Sequence, residues 1–384
     1  MFDAERAQNQ KTTHLFCLCV ILLLGTGLVT LYSASYSFAA RFIIRQLIYS
    51  AMGIVCFIIF SLINLNLLRK LILPLVCIAI LLCILTFIPK IGVERNNATR
   101  WIKFGIFTYQ PSEMVKFVLP LYLAHLLDKK SDNLDNFYSG VLPPVIVTGI
   151  FFALIYMQNN FSTAFFIVIN ALIIFFLAGI RYRYFFAATI MIIPVSALLI
   201  FSKEYRVKRL LSFLRPQWDP LGIAFQVNKS KYAIISSGLW GKGIGENIRK
   251  LEIERIPEIQ SDFVFSAYVE ETGFIGVILF FALIVIFAVL GYKAALNSKT
   301  VFERLLAAGL TTLIVSQALL NTAVVSGAVP ATGIPLPFFS AGGSSLITTM
   351  ICAGLIVNVA GNNGKTEDGW KNSNYEVSEA DNEY

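Results

Sequence analysis

The sequence predicts an all-α integral membrane protein: a polytopic bundle of about ten transmembrane helices, with a large extracytoplasmic loop between the seventh and the eighth. Three observations carry this. Hydrophobic residues make up 57% of the 384 positions and charged residues only 14%, too few polar side chains to cover a soluble globule of this size. Nearly charge-free runs recur along the chain, each approaching the ~20 residues that carry a helix across ~30 Å of hydrocarbon. The runs are rich in Leu, Ile, Phe and Ala and lack the two-residue alternation of a membrane barrel, so helices must satisfy the backbone inside lipid.

The expected spans are 15–32, 44–66, 71–88, 112–127, 141–157, 161–179, 184–201, 263–291, 304–326 and 344–361. The first could be taken for a signal peptide, because small residues at 33–35 and 38–40 follow it. Its leader, however, carries Asp3 and Glu5 beside Arg6 and Lys11, and many similar runs come after, so a retained helix is expected. The fourth span starts at Gln110-Pro111-Ser112, where proline and serine mark a helix start. The division is then a cytoplasmic N-terminus over 1–14, a transmembrane domain over 15–361 containing the loop 202–261, and a disordered cytoplasmic tail over 362–384. That tail carries Glu367, Asp368, Glu376, Glu379, Asp381 and Glu383 among Asn and Ser.

An even number of spans puts both termini on one side. The short connections there carry Arg69-Lys70, Lys129-Lys130, Arg181 with Arg183, and Lys293 with Lys299, whereas 158–160 and 327–343 have no Lys or Arg, so both termini are expected inside the cell. Two loops assigned outside are basic nonetheless: 89–111 holds four basic residues against one acid, and 202–261 holds eleven against six. Long loops cross regardless of charge. A basic surface there suits an anionic ligand, or lipid headgroups.

All six cysteines lie in apolar runs, where a thiol acts as a small hydrophobe, and His14 and His125 lie far apart. No disulfide, zinc site or other metal cluster is expected.

Four stretches are too polar, too charged or too rich in Gly and Pro to be idle connectors. The first runs from Ala98 to Gly105, with Arg100, Trp101 and Lys103, and leads into Gln110-Pro111-Ser112-Glu113-Met114-Val115-Lys116. Glu113 and Lys116 share a helix face, where ionisable groups in a membrane are paired or functional. They form a structural salt bridge, or Lys116 faces a phosphate. The second is the loop after Phe201, whose residues 205–230 form a basic amphipathic surface for the membrane. It ends in Gly238-Leu239-Trp240-Gly241-Lys242-Gly243-Ile244-Gly245, which has neither the dinucleotide nor the P-loop spacing. The third is Ile256 to Phe263, with Glu270-Glu271 further along the same helix. Asp262 there can be a general base at the mouth of span eight, or only a helix N-cap. The fourth, from Gly333 to Ser345, has an irregular backbone by virtue of its prolines and glycines, and such backbone at membrane depth lines a cavity.

In this order and spacing the four stretches resemble the SEDS family of bacterial cell-wall glycosyltransferases, to which FtsW and RodA belong. The resemblance covers nearly the whole chain. The Arg-Trp stretch before Gln110-Pro111-Ser112-Glu113 and Lys116, the glycines before Pro257-Glu258, Ser261-Asp262-Phe263 with Glu270-Glu271, and the Gly-Ile-Pro-Leu-Pro run ending in Gly-Gly-Ser-Ser all look like its motifs. The run from Gly245 to Leu251, soon followed by Pro257, is nearer the division branch, FtsW, than the elongation branch, RodA. Two positions depart from the family pattern: Gln260-Ser261 stands where His-Thr is common, and Ala341 where Tyr is common. Gln260 cannot titrate, so no histidine relay serves Asp262.

The resemblance implies a peptidoglycan glycosyltransferase of the bacterial cytoplasmic membrane that polymerises lipid II outside the cell during division or elongation. Asp262 matches the aspartate held to be catalytic. Substrate contacts are expected from Arg100, Lys103, Gln110, Glu113, Lys116, Lys242, Ser261, Glu271 and Ser344; no cofactor is required, and a divalent cation (Mg2+ or Mn2+) is a candidate to share the pyrophosphate charge. Expected partners are a class B penicillin-binding protein transpeptidase and other division or elongation proteins. No nucleic-acid partner is implied. The rival readings are a lipid II flippase, since membrane-depth charges also mark transport paths, and a scaffold recruiting the transpeptidase. Charge concentrated outside favours the enzyme.

Overall fold

The computed structural model describes residues 2–35, 39–95, 98–105, 107–218, 222–245 and 259–362. Asp219-Pro220, residues 246–258 with the Pro257-Glu258 motif and most of the FtsW-like run, and the tail from 363 lie outside the described residues.

A helix stands at each of the ten expected spans: α1 (Phe2–Ser35), α2 (Ala39–Leu62), α3 (Leu65–Leu85), α4 (Pro111–Lys129), α5 (Leu142–Met157), α6 (Phe161–Leu177), α7 (Tyr182–Phe201), α10 (Val264–Leu296), α11 (Val301–Val325) and α12 (Gly343–Asn362). Eight of these are long and apolar enough to cross a bilayer, α5 together with the π-helical turn Phe137–Val141 that leads into it. Of the other two, α6 is apolar but 17 residues long, and α4 carries Glu113 and Lys116 within its 19 residues. Local chemistry sets several ends. Asn64 caps α3 by accepting from the Asn66 amide at 2.8 Å, and Thr300 caps α11 by accepting from the Glu303 amide at 3.2 Å. Pro111 opens α4, whose first turn holds Glu113 and whose last holds Lys129, each matching the helix dipole. Helix α1 runs from Phe2, so residues 2–14 are helical and continuous with the first span.

Helix α4 is the centre of the bundle. Every residue from Pro111 to Leu121 is buried, and α4 packs against α3, α11 and α6. Helices α11 and α12 are also largely enclosed, with α12 lying along α2 and α11 along α10. By contrast α7 has no buried residue.

Three features depart from the expected layout. Residues 92–109 hold a three-stranded antiparallel sheet, β1 (Gly92–Arg95), β2 (Ala98–Phe104) and β3 (Phe107–Tyr109), where only a connection was expected. The described residues of the loop 202–261 include two α-helices, α8 (Glu204–Leu214) and α9 (Ile223–Ser236). Arg206 and Ser212 of α8 are buried, so this helix turns a basic face into the protein as well as presenting Lys208 to solvent. Finally, α10 is not continuous: Gly273 adopts φ 68°, ψ −163°, a conformation essentially closed to other residues.

That break is spliced by the glycine-rich loop. The Lys242 and Gly243 amides donate to the carbonyls of Glu270 and Glu271 (2.9 and 3.1 Å), while the Phe274 and Ile275 amides donate to the carbonyls of Gly238 and Leu239 (3.0 and 3.2 Å). Backbone groups freed by interrupting a membrane helix are thereby satisfied. A Cβ on Gly273 would lie 2.2 Å from the Gly241 nitrogen, and one on Gly241 2.3 Å from the Glu271 oxygen. Gly273→Ala is expected to destabilise the protein by at least ~1–3 kcal/mol from backbone strain alone, read as a lowered unfolding midpoint in detergent. An unchanged midpoint would mean that the splice is not rigid.

Candidate active site

Asp262 closes the turn 259–262 that leads into α10. The N-cap position belongs to Phe263 and has no side-chain hydrogen bond, so Asp262 does not cap the helix. Its carboxylate faces Gly333 instead: a Cβ built on that glycine, at φ +72°, would sit 3.5 Å from Asp262 Oδ2. The turn and the 333–345 segment are tied by the Ala341 amide donating to the Gln260 carbonyl at 2.8 Å.

Around this pair lies a cavity of about 910 Å³. Its wall comes from α2 (Arg45, Gln46, Tyr49), β2 and β3 (Arg100, Trp101, Thr108), Gln110 before α4, the Asn159-Asn160 corner, Lys203, Tyr205 and Arg209 from the 202–261 loop, and Ser344-Ser345 of α12. Ten sequence-expected residues divide evenly here. Arg100, Gln110, Ser261, Asp262 and Ser344 line the cavity, and the Gln110 amide reaches the Ser344 hydroxyl at 3.4 Å.

The other five do not line it. Lys103 is exposed. Glu113 and Lys116 are 3% and 2% exposed and form an ion pair at 2.7 Å, so Lys116 faces the Glu113 carboxylate. Lys242 pairs with Glu270 at 2.8 Å. Glu271 accepts from the Ser33 hydroxyl and from the Gly245 amide (3.3 Å) within the splice. Three of the five thus sit in buried or half-buried ionic pairs, as membrane-depth charges require.

Arg209 was not among the expected contacts. Its guanidinium donates to the carbonyls of Ala331 and Thr332 (both 3.5 Å), and Arg100 donates to the Asn159 carbonyl, which Tyr205 also reaches at 3.3 Å. Asn159 has φ 57°, a conformation asparagine tolerates better than most residues. Burial pushes the Arg100 guanidinium below the usual arginine range, and Arg209 pushes it the same way, while Tyr205 and Asp262 oppose. Burial lowers Arg209 too, again against Tyr205 and Asp262. Both guanidiniums stay charged. Two partly desolvated cations in the field of one carboxylate make a site that gains from an incoming anion. Arg100 Nε is buried without a hydrogen-bond partner among the described residues. A side chamber of about 300 Å³ shares Arg100, Tyr205 and Arg209 with the main cavity, and has Phe161, Ile200, Leu210 and Leu320 in its wall.

The family model described as cell cycle protein, grouping FtsW, RodA and SpoVE, matches residues 13–365. The chain belongs to the SEDS family. It is 35% identical to a probable peptidoglycan glycosyltransferase FtsW of Trichlorobacter lovleyi over 89% of this chain and 91% of that one. Against the Borreliella burgdorferi protein of the same name the identity is 36% (90% and 96% covered), and against stage V sporulation protein E of Bacillus subtilis 34% (90% and 96%). These relatives mark it as an FtsW-like SEDS protein of a bacterial membrane. Among solved structures it resembles a chain of a peptidoglycan synthase complex that coordinates polymerization and crosslinking (TM-score 0.77, 25% identity, 91% and 98% covered). The Thermus thermophilus rod shape determining protein RodA shares the fold (TM-score 0.68, 24% identity, 91% and 97% covered).

In this SEDS chain the cavity's donor set does not fit a divalent cation held by the protein. Asp262 is its one carboxylate among the described residues, beside Arg45, Arg100, Lys203 and Arg209, and no three His, Cys, Asp or Glu among those residues come together.

Proposed function

We propose that this peptidoglycan glycosyltransferase polymerises lipid II in the cavity around Asp262, by an inverting reaction with Asp262 as general base. One observation carries the reading: among the described residues a single carboxylate, opposite a glycine that leaves it room, shares a 910 Å³ cavity with several cations. Asp262 takes the proton of the acceptor sugar's 4-hydroxyl as that oxygen bonds to the anomeric carbon of the donor chain. The bond from that carbon to undecaprenyl pyrophosphate breaks, and its electron pair leaves with the pyrophosphate. Passing from an α-linked pyrophosphate to a β-linked glycan needs one base and no covalent sugar intermediate. Arg100 and Arg209 are the cations that receive the developing charge.

The cavity faces outward in this reading, with both termini cytoplasmic, supported by the Lys and Arg of the short connections at the opposite end. A class B penicillin-binding protein transpeptidase is the partner, supported by the likeness to a chain of a peptidoglycan synthase complex.

The test is polymerisation of purified lipid II in detergent by wild type and Asp262→Ala, each with and without the transpeptidase, scored as strand length on a gel. Polymer from wild type and none from the variant is expected. No polymer from wild type with its partner would sink the enzyme reading and favour flipping or scaffolding.

A further inference from the structure

The segment from Pro330 to Pro337 forms no helix or strand, and its prolines donate no backbone hydrogen bonds. Its carbonyls therefore need donors from elsewhere. Those of Ala331 and Thr332 are met by Arg209. Those of Ile334 and Pro335 are met from α11, by Asn321 Nδ2 and Gln317 Nε2, each at 2.8 Å. Asn321 and Gln317 are four apart, hence on one face of α11, and are 1% and 4% exposed.

Asn321 does more than hold the loop. The same Nδ2 donates to the carbonyl of Asp262 at 2.9 Å, so one amide bridges the backbone of residue 262 to that of residue 334. These two segments face each other across the Asp262 carboxylate. Asn321 Oδ1 is buried without a hydrogen-bond partner among the described residues, so what favours an amide here is its donor pair, whose loss would leave the carbonyls of residues 262 and 334 unpaired.

The orientation of Gln317 is also set. Its Oε1 accepts from Lys116 Nζ at 3.2 Å, and an ammonium has no acceptor. Gln317 must present oxygen to Lys116 and its amide hydrogens to Pro335. Glu113 in turn holds Lys116 at 2.7 Å.

We propose that Asn321 and Gln317 are positioning residues for the glycosyl transfer: a buried amide pair on α11, oriented by the Glu113–Lys116 ion pair, that fixes Asp262 against the Gly333 wall. This rests on the proposed function, with Asp262 as base. Misplacing a reacting group by ~1 Å costs up to ~100-fold in rate, and neither amide is among the cavity-lining residues.

The experiment measures kcat and KM for lipid II polymerisation, with the cognate transpeptidase present, in Asn321→Leu, Gln317→Met and a control, Asn170→Leu. Asn170 is another buried amide, on α6, that donates to its own helix's Phe166 carbonyl at 2.8 Å. The expected result is a kcat lowered about 10- to 100-fold in Asn321→Leu and less in Gln317→Met, with KM within about threefold of wild type. Asn170→Leu keeps kcat within about twofold while its unfolding midpoint falls comparably. If Asn321→Leu does not fold, Gln317→Met, which removes the bonds to Pro335 and Lys116 but none to Asp262, decides. A wild-type kcat in the folded variants, or an equal loss in Asn170→Leu, overturns the proposal while leaving the proposed function intact. Failure of wild type itself to polymerise removes both, and is distinguished by that fact.

Discussion

Asp262→Asn is expected to lower the polymerisation rate by about 10²- to 10⁴-fold, the usual contribution of a positioned general base. The substitution keeps the side chain's size, so the gap to Gly333, where a Cβ would stand 3.5 Å from Oδ2, is preserved. It also keeps the backbone carbonyl that Asn321 holds at 2.9 Å. What is lost is the ability to accept a proton, together with the negative charge that favours the protonated forms of Arg100 and Arg209. Single-turnover polymerisation of lipid II measures the rate, and unfolding in detergent checks that the fold survives. A folded Asp262→Asn protein with the wild-type rate would show that no proton goes to this residue.

The second large effect is on stability. Lys116→Met would leave the Glu113 carboxylate 3% exposed and without its ammonium, and removing one partner of a buried pair costs ~3–5 kcal/mol. The double variant Glu113→Gln/Lys116→Met replaces the charges by an amide and an apolar chain of similar length, and should recover most of that loss. A double-mutant cycle in detergent unfolding separates the two. Equal stability in all four proteins would mean that the pair is solvated. The double variant is also expected to remain slower than wild type, because Gln317 Oε1 no longer receives the Lys116 ammonium that orients it.

Much of the fold was legible because lipid imposes a simple rule on sequence. A helix must be apolar for about twenty residues, and each of the ten runs coincides with one. The sheet was less legible. Thr99-Arg100 and Trp101-Ile102 break any two-residue alternation across Ala98 to Phe104, and only Gly105, at φ 57°, offers a turn signal beyond the run. The basic face of α8 was recognised but aimed at the membrane, whereas Arg206 and Arg209 turn into the protein.

Sequence by itself determined the solvent, the number of apolar runs and the family motifs, since run length, composition and motif order are properties of the chain alone. Through that resemblance it also singled out Asp262, which residue type alone left between base and N-cap. Only the tertiary structure decided which charges share a space with Asp262. Lys116 met Glu113 and Gln317, Lys242 met Glu270 across 28 positions, and Arg209 met the loop at Ala331 across 122. The physical reason is that a buried charge or amide must be paired wherever it lies, and the partner is chosen by helix packing that brings distant residues together.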